Sequence, residues 1–313
     1  MKPYHQLYNE IWHCDCRIGL ARLANNSINL TVTSPPWDDI FNYEGKNSES
    51  HMTWKLFTTV AQELFRVTVP GGFVCWDYAD RVKHNICSGN LFRMGNYFLG
   101  LGFYLYEHLV VYSAGANMRP CGAARRHGLP PEQVLVFSKG KPNARKIHRR
   151  KKPNRAQSVG KTYLGHQRHA DGSRTSSTSK LKAVGNRGPT WAYAPQCPNC
   201  GEWSGLDFTT NPRFDELSSI REYYNLGGQA PKWTRKHPAR MFPALVRDLI
   251  LAYSDWTDIV LDPFAGTGTT LEQATLNQRF YLGMEKAEPY HKMCRRRVYE
   301  AEQQIMMRFM EKE

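Results

Sequence analysis

Long hydrophobic runs are missing from this 313-residue chain, and acidic residues are scarce relative to basic ones. No apolar stretch reaches the roughly 18 residues that a membrane-spanning helix needs. The opening residues, MKPYHQLYNEIW, also lack the continuous apolar core of a signal peptide. We therefore expect a cytoplasmic protein with no membrane partner. Hydrophobic residues still make up 41% of the chain, which is enough to build a large buried core.

The eight cysteines do not form a disulfide framework, because they are scattered along a long chain with no secretory signal. Only Cys197 and Cys200 have the spacing of a metal-ligand pair, and no second pair follows them. Zinc needs about four ligands. We interpret the pair as a tight turn with free thiols and predict no metal. A zinc site completed in space by His166 and His169 is the alternative.

The excess positive charge is concentrated in one internal segment. The whole chain has 42 Lys and Arg against 28 Asp and Glu, and residues 143–189 contain 13 of the basic residues with a single acid, Asp171. Such a block indicates a polyanionic partner, because neutralised phosphates release their counterions. A solvated basic segment that binds nothing specific is the alternative.

The residue pattern of the chain differs between this middle region and the residues on either side of it. Residues 1–142 and 231–313 alternate short apolar runs with helical patterns, which indicates βαβ units around a parallel sheet. Residues 143–230 are rich in Ser, Gly, Asn and Pro, and we expect Ser173–Ser179 to be a mobile loop. The chain therefore divides into two α/β halves with a basic insert between them.

Apolar spacing predicts the individual elements, as where Phe57, Val60, Ala61 and Leu64 follow the i, i+3, i+4, i+7 pattern of one helix face. The predicted strands are 28–33, 73–76, 134–137, 258–262 and 280–284, and the predicted helices are 54–69, 242–253, 269–277 and 289 to the C-terminus.

A glycine-rich segment connects the predicted strand 258–262 to the following helix. Its residues, Asp-Pro-Phe-Ala-Gly-Thr-Gly-Thr-Thr at 262–270, are called the glycine loop below. Glycines let the backbone approach a ligand, and a helix N-terminus supplies free N–H groups. The loop lacks the Gly-Lys-Ser/Thr of a nucleotide hydrolase. Glu285 ends the next strand about 20 residues on, where nucleoside-binding α/β folds place an acid for ribose hydroxyls.

Ser-Pro-Pro-Trp at 34–37, called the SPPW segment below, follows the predicted strand 28–33. A hydroxyl oxygen and a carbonyl fixed by proline can accept both hydrogens of an amine. An exocyclic base amine needs such acceptors, because its lone pair is delocalised until the nitrogen becomes tetrahedral. The Trp37 ring is suited to stack on a flipped-out base. An ordinary proline-rich turn is the alternative.

Both segments resemble those of the permuted, β-class DNA amino-methyltransferases, which depend on S-adenosyl-L-methionine. His237-Pro-Ala-Arg-Met-Phe-Pro243 is similar to that family's His-Pro-x-x-x-Phe-Pro element. The SPPW segment also precedes the glycine loop, as in that class, and the resemblance spans residues 11–142 and 231–297. It implies a doubly wound α/β fold of the Rossmann-like methyltransferase type. The expected sheet has seven mostly parallel strands, with helices on both faces and a target-recognition insert at 143–230.

The resemblance also implies roles for individual residues. The catalytic residues are expected to be Ser34, Pro35, Pro36 and Trp37. The expected cofactor-binding residues are Asp15, His237, Pro238, Phe242, Asp262, Phe264, Gly266, Gly268, Thr269, Thr270 and Glu285. Asp15 matches an acid near the adenine, but His13-Cys14 replaces the usual preceding residue, and capping of the next helix is the alternative.

Serine at the first position of the SPPW segment is typical of family members that methylate cytosine N4, whereas Asp or Asn accompanies adenine N6. We therefore predict a site-specific cytosine-N4 methyltransferase that acts on double-stranded DNA in a prokaryotic or phage-infected cell. The alternatives are an adenine-N6 enzyme, an enzyme acting on RNA, and a catalytically silent nucleic-acid-binding protein; a homodimer is left open. Phosphate contacts are predicted for Arg145, Lys146, Arg149, Arg150, Lys151, Lys152 and Arg155.

Overall fold

A computed structural model describes eleven stretches of the chain. They are residues 8–37, 52–84, 86–113, 132–142, 162–168, 173–180, 190–193, 231, 233–234, 237 and 240–310. The seven predicted phosphate-contact residues between 145 and 155, Pro238, and the Cys197 and Cys200 pair lie outside these stretches.

Twelve strands and six helices are present in the described residues. The strands are β1 (Glu10–His13), β2 (Ile28–Thr33), β3 (Thr68–Tyr78), β4 (Val82–Lys83), β5 (Ile86–Cys87), β6 (Phe103–Ser113), β7 (Glu132–Lys139), β8 (Thr162–Arg168), β9 (Arg174–Lys180), β10 (Thr190–Tyr193), β11 (Ile259–Asp262) and β12 (Phe280–Glu285). The helices are α1 (Cys16–Ala21), α2 (Trp54–Val67), α3 (Asn90–Gly100), α4 (Pro243–Tyr253), α5 (Thr269–Leu276) and α6 (Glu288–Met310).

Eight of the strands form one sheet in the order β1-β12-β11-β2-β3-β7-β6-β10. Neighbouring strands are parallel except where β7 pairs antiparallel with β3 and β6. The prediction of a mostly parallel seven-stranded sheet is confirmed. One short strand of the insert, β10, extends that sheet beyond β6.

The sheet changes winding direction between β11 and β2, which are paired through Val260–Leu30 and Leu261–Thr31. From β11 the chain passes through α5 to β12 on one side, and from β2 it passes through α2 to β3 on the other. Crossovers that diverge in this way leave a crevice at the carboxyl ends of the two strands, where ligands bind in doubly wound sheets. The glycine loop follows β11 and the SPPW segment follows β2, so both lie at this crevice.

Strand alternation divides the core into two layers, one on each face of the sheet. On one face Leu30 and Val32 pack with α4, α5 and α6. On the other, Val74 and Trp76 pack with α1, α2 and α3. Helix α2 buries the apolar face that its spacing predicts, and the Thr53 side chain caps it by accepting from the Leu56 N–H. Helices on both faces complete the predicted doubly wound architecture.

Three of the four predicted helices and most predicted strands agree with the observed bounds to within two residues. Helix α6 begins one residue before its predicted start, and its predicted end lies outside the described residues. Strand β3 starts earlier than expected. Strand β3 begins at Thr68 and continues through Pro-Gly-Gly, with Gly71 at a φ of 79°. Its pairing with β2 shifts register between Ile28 and Leu30, which accommodates the irregular segment.

The prediction of a mobile loop at Ser173–Ser179 was wrong. Residues Arg174–Lys180 form β9, which pairs antiparallel with β8 along its full length. Threonine is favoured in strands, and the opposite strand supplies the main-chain hydrogen bonds. Composition alone could not reveal that partner.

No helix within the described stretches combines the length and the hydrophobicity of a membrane span.

Candidate active site

A cavity of about 230 Å³ lies at the crevice between the ends of β2 and β11. It is large enough for an organic ligand, since one water molecule occupies about 30 Å³ in the liquid. Ten predicted site residues line it: Asp15, Ser34, Pro36, His237, Asp262, Phe264, Gly266, Thr269, Thr270 and Glu285. Segments that are far apart in sequence are thus brought to one place, because their strands end at the same sheet edge.

Four other predicted residues are described but do not line the cavity. Pro35 is buried. The Trp37 ring stands edge-on to Tyr78 with ring centroids 6.4 Å apart. Phe242 precedes α4 and packs on the core. Gly268 precedes α5.

The two glycines of the glycine loop are required by its backbone geometry. Gly266 and Gly268 have φ values of 52° and 84°, which L side chains rarely adopt. A Cβ at Gly266 would approach the His237 ring to 3.2 Å, and one at Gly268 would approach the Cys294 sulfur to 2.7 Å. The loop therefore passes close to its neighbours and delivers the N-terminus of α5, with Thr269, to the cavity.

Asp262 connects the glycine loop to the strand that carries the SPPW segment. Its Oδ1 accepts from the Thr33 hydroxyl at 2.7 Å and from the Phe264 N–H at 3.0 Å. Burial raises the pKa of this carboxyl to about 6, although the hydrogen bonds oppose that shift. Because Thr33 ends β2, this contact fixes the distance between the two loops.

Glu285, at the end of β12, joins the glycine loop to the loop that follows β12. Its Oε2 accepts from the Gly266 N–H at 2.9 Å, and its Oε1 accepts from the Ala287 N–H at 2.8 Å. A carboxylate has about four lone-pair sites, so both oxygens can also accept from ligand hydroxyls.

Asp15 lines the cavity and also caps α1, as the alternative interpretation predicted. It accepts from the Arg17 N–H at 2.9 Å and forms a salt bridge with the Arg17 guanidinium at 2.8 Å. The hydrogen bond from Arg17 is the main reason that the pKa of Asp15 is lowered. The carboxylate therefore stays ionised at the cavity wall.

A buried pair of carboxyl groups lies behind Ser34. Thr33 is level with Trp76 on the neighbouring strand, so Ser34 is level with Asp77. The Asp77 carboxyl faces Ser34 and Glu132, although neither of its oxygens reaches a partner with full hydrogen-bond geometry. Burial raises the pKa of both Asp77 and Glu132, and for Asp77 the neighbouring Glu132 raises it further. Such a pair therefore binds a proton more tightly than an exposed carboxyl does.

Sequence patterns did not identify Glu132, Arg240 or Thr267 as site residues. Glu132 begins β7, and an acid at the start of an apolar strand was its only signal. Arg240 lies within the His237–Pro243 element and lines the cavity, as does Thr267. Across the described stretches, no three His, Cys, Asp or Glu side chains converge as metal ligands.

Residues 28–296 match the model of the N6/N4 methyltransferase family, described as DNA methylase. The chain belongs to this family. It is an S-adenosyl-L-methionine-dependent DNA methyltransferase of the class that modifies exocyclic base amines.

Individual relatives and structures agree with this assignment. Over 270 residues the chain is 34% identical to the orphan methyltransferase M.BamHII of Bacillus amyloliquefaciens, covering 86% of this chain and 87% of that protein. The relatives include a DNA adenine methyltransferase of Escherichia coli, YhdJ, 45% identical over 62 residues, which are 20% of this chain and 21% of that protein. The fold is similar to that of the cytosine-N4-specific PvuII DNA methyltransferase, with a TM-score of 0.57, 17% identity, and coverage of 92% and 85% of the two chains. It is also similar to the Thermus thermophilus protein TTHA0409 in complex with S-adenosyl-L-methionine, with a TM-score of 0.52, 19% identity, and coverage of 93% and 95%.

Proposed function

We propose that this enzyme methylates the exocyclic N4 amine of cytosine in double-stranded DNA. The observation that carries the proposal is the position of Ser34, which lines the same cavity as the glycine loop at the end of an adjacent strand. A serine hydroxyl is neutral and both donates and accepts. It can therefore address the cytosine amine and the adjacent ring nitrogen.

The cavity has the chemical groups that S-adenosyl-L-methionine requires. Glu285 offers carboxylate oxygens for the ribose hydroxyls, and Asp15 lines the same cavity and is available for the adenine. The N-terminus of α5 supplies N–H groups for the methionine carboxylate, beside His237 and Phe264. When bound, the cofactor supplies a methyl group on a positively charged sulfur.

The SPPW segment is proposed to hold the target amine. The Ser34 hydroxyl oxygen is proposed to accept one amine hydrogen, while its single proton is donated to the adjacent ring nitrogen. The carbonyl of buried Pro35 is proposed to accept the other hydrogen, and the Trp37 ring to support the flipped-out base. The amine nitrogen would then take the methyl group directly, while the methyl–sulfur bond of the cofactor breaks and the nitrogen releases one proton to solvent. No covalent bond forms between enzyme and base, since no ring carbon needs activation.

The insert at 143–230 is proposed to bind the DNA around the target. Its basic block contains Arg145 to Arg155, and phosphate contacts position a duplex without reading its sequence. We propose that the two α/β halves, 1–142 and 231–313, form the catalytic and cofactor-binding parts.

Nucleoside analysis of DNA treated with the enzyme and S-adenosyl-L-methionine tests this function. We expect N4-methylcytosine, and we expect Ser34→Ala to lower turnover by about 10- to 100-fold with little loss of DNA affinity, because its hydrogen bond strengthens in the transition state. Ser27→Ala is the matched control, since Ser27 precedes the same strand and its hydroxyl donates to the Ala24 carbonyl, away from the cavity.

Each other product gives a distinct answer. Detection of N6-methyladenine would change the target from cytosine to adenine and would leave the direct-attack mechanism in place. Detection of 5-methylcytosine, or of a trapped adduct with a cysteine, contradicts the mechanism. Binding of cofactor and DNA without any methylated nucleoside supports the silent binding protein, and methylation confined to RNA supports the RNA alternative.

A further inference from the structure

A buried arginine lies beneath the glycine loop and outside the cavity. Arg297, on α6, is 1% exposed, and arginine is almost never buried without partners. Its guanidinium donates to the Thr269 hydroxyl oxygen at 2.7 Å and to the Thr267 hydroxyl oxygen at 3.3 Å. It also forms a salt bridge with Glu272 at 2.8 Å, which compensates its charge.

These contacts determine how the two threonine hydroxyls can be used. Arginine has donors and no acceptor, so it must occupy a lone pair of each hydroxyl oxygen. The single O–H proton of each threonine is then directed elsewhere. Neither hydroxyl donates to a residue within the stretches that the structure describes. Thr269 is also the first residue of α5, so it has no carbonyl one turn earlier in the helix to which it could donate.

Both hydroxyls lie where an anion is favoured. Thr267 and Thr269 line the cavity while being 3% and 5% exposed, so their few accessible atoms face into it. The same point is the N-terminus of α5, whose first N–H groups have no partner within the helix. A hydroxyl that accepts from a cation is polarised and becomes a stronger donor. The group that such donors suit is a carboxylate.

We propose that Arg297 is a positioning residue that orients the Thr267 and Thr269 hydroxyls toward the carboxylate of the cofactor's methionine moiety. Arg297 itself does not touch the cofactor. This inference rests on the proposed assignment of the glycine loop to the methionine end of S-adenosyl-L-methionine. Arg297, a buried side chain on α6, would then influence how tightly the methionine end of the cofactor is bound.

Calorimetry with two probes tests the inference without measuring turnover. S-adenosylhomocysteine retains the amino-acid part of the cofactor, whereas 5′-methylthioadenosine lacks it and retains the adenosine and the sulfur. Valine has nearly the same shape as threonine but lacks the hydroxyl. We expect Thr269→Val to lower the affinity for S-adenosylhomocysteine about tenfold and the affinity for 5′-methylthioadenosine less than about twofold. Thr269→Ser retains the hydroxyl and serves as the control, with both affinities close to those of the wild type.

Arg297→Met should reproduce the selective loss. In the double variant with Thr269→Val, the combined loss should be smaller than the sum of the two single losses, because both remove the same hydrogen bond. Where Arg297→Met does not fold, Arg297→Lys replaces it. Lysine retains the charge opposite Glu272, but it has one nitrogen in place of the two that contact the threonines and Glu272. An equal loss for both probes indicates a purely structural role and overturns the proposal.

Two further outcomes separate this inference from the proposed function. If Thr269→Val leaves both affinities unchanged, the carboxylate is held elsewhere, for example by Arg240 of the same cavity, and the inference is wrong. If the wild-type protein binds neither probe, the assignment of the cofactor site fails instead.

Discussion

At the scale of single residues, the carboxyl of Asp262 makes the stability of the enzyme depend on pH. Its pKa is about 6 in the folded protein against an ordinary 3.8, so the folded state holds the proton more tightly than the unfolded state does. The resulting stabilisation is complete below about pH 4 and is lost as the pH rises through about 6. Above that pH the protein contains a buried carboxylate that lacks a cationic partner among the groups that set its pKa.

Asp262→Asn should therefore raise the melting temperature at about pH 7.5, because it removes the buried charge and retains the oxygen that accepts from Thr33 and Phe264. A gain of a few degrees is expected, and it should shrink as the pH is lowered to about 5. Thermal melts across this range provide the measurement. Asp255→Asn is the control, because it changes the same residue type at an exposed position and removes no buried charge. A gain of equal size at every pH would contradict the role of ionisation.

Residues within short motifs could be predicted from the sequence, whereas residues that act through a distant partner could not. The glycine loop and the SPPW segment are continuous, so their residue types alone indicate their chemistry. Asp77 and Glu132 become a pair only through the antiparallel register of β3 and β7. Arg297 meets Thr269 only because α6 packs on α5. Register and helix packing are properties of the whole fold, and no local pattern records them.

At the scale of elements, two glycines that precede helices provide a matched comparison. Gly89 precedes α3 and Gly268 precedes α5, and both have positive φ values, of 65° and 84°. A Cβ at Gly89 has no neighbour within 4 Å, whereas one at Gly268 would meet the Cys294 sulfur at 2.7 Å and Cys294 backbone atoms at 3.1 and 3.2 Å. The two positions therefore differ in crowding more than in backbone conformation.

Gly89→Ala should lower the free energy of unfolding by about 1–2 kcal/mol, the cost of a left-handed backbone for an L residue. Gly268→Ala should lower the free energy of unfolding by a further amount of about 1–3 kcal/mol, the cost of overpacking, because α5 and α6 must also move apart. Urea unfolding of both variants measures the difference. Similar losses for the two variants would show that the helix pair absorbs the extra methyl group.

The elements that could be predicted are those with an apolar periodicity of their own. Helix α2 and strand β2 are examples, and their bounds differ from the predicted ones by at most two residues. Helix α1, with only six residues, and strand β10, with four, are too short to show a period. Strand β9 has a polar composition, and it becomes a strand only by pairing with β8.

At the scale of the whole molecule, the uneven charge predicts how DNA affinity depends on salt. Replacing Arg149, Arg150, Lys151 and Lys152 by alanine should weaken binding to all DNA sequences. The slope of log affinity against log salt should fall by about 0.9 for each phosphate that the variant no longer neutralises. Filter binding or fluorescence anisotropy at several salt concentrations measures both effects.

Three exposed basic residues on α6, Lys292, Arg295 and Arg296, provide the comparison. Their replacement by alanine lowers the net charge by a similar amount without altering the basic block. We therefore expect the slope of log affinity against log salt to change less than in the variant of the basic block. If both variants change the slope equally, general charge explains the affinity and the block has no special part in it.

The position of β1 has a consequence for the integrity of the enzyme. Strand β1 belongs to the first half of the chain, yet it pairs with β12, so that β11 and β12 of the second half are enclosed between β1 and β2. Strands of the two halves are therefore interleaved within one sheet. After a single break in the connecting insert, the two pieces would still be held together by the main-chain hydrogen bonds of two strand pairs, β1 with β12 and β11 with β2. The methyltransferase should therefore survive as a nicked enzyme, and its separately expressed halves should need each other to fold.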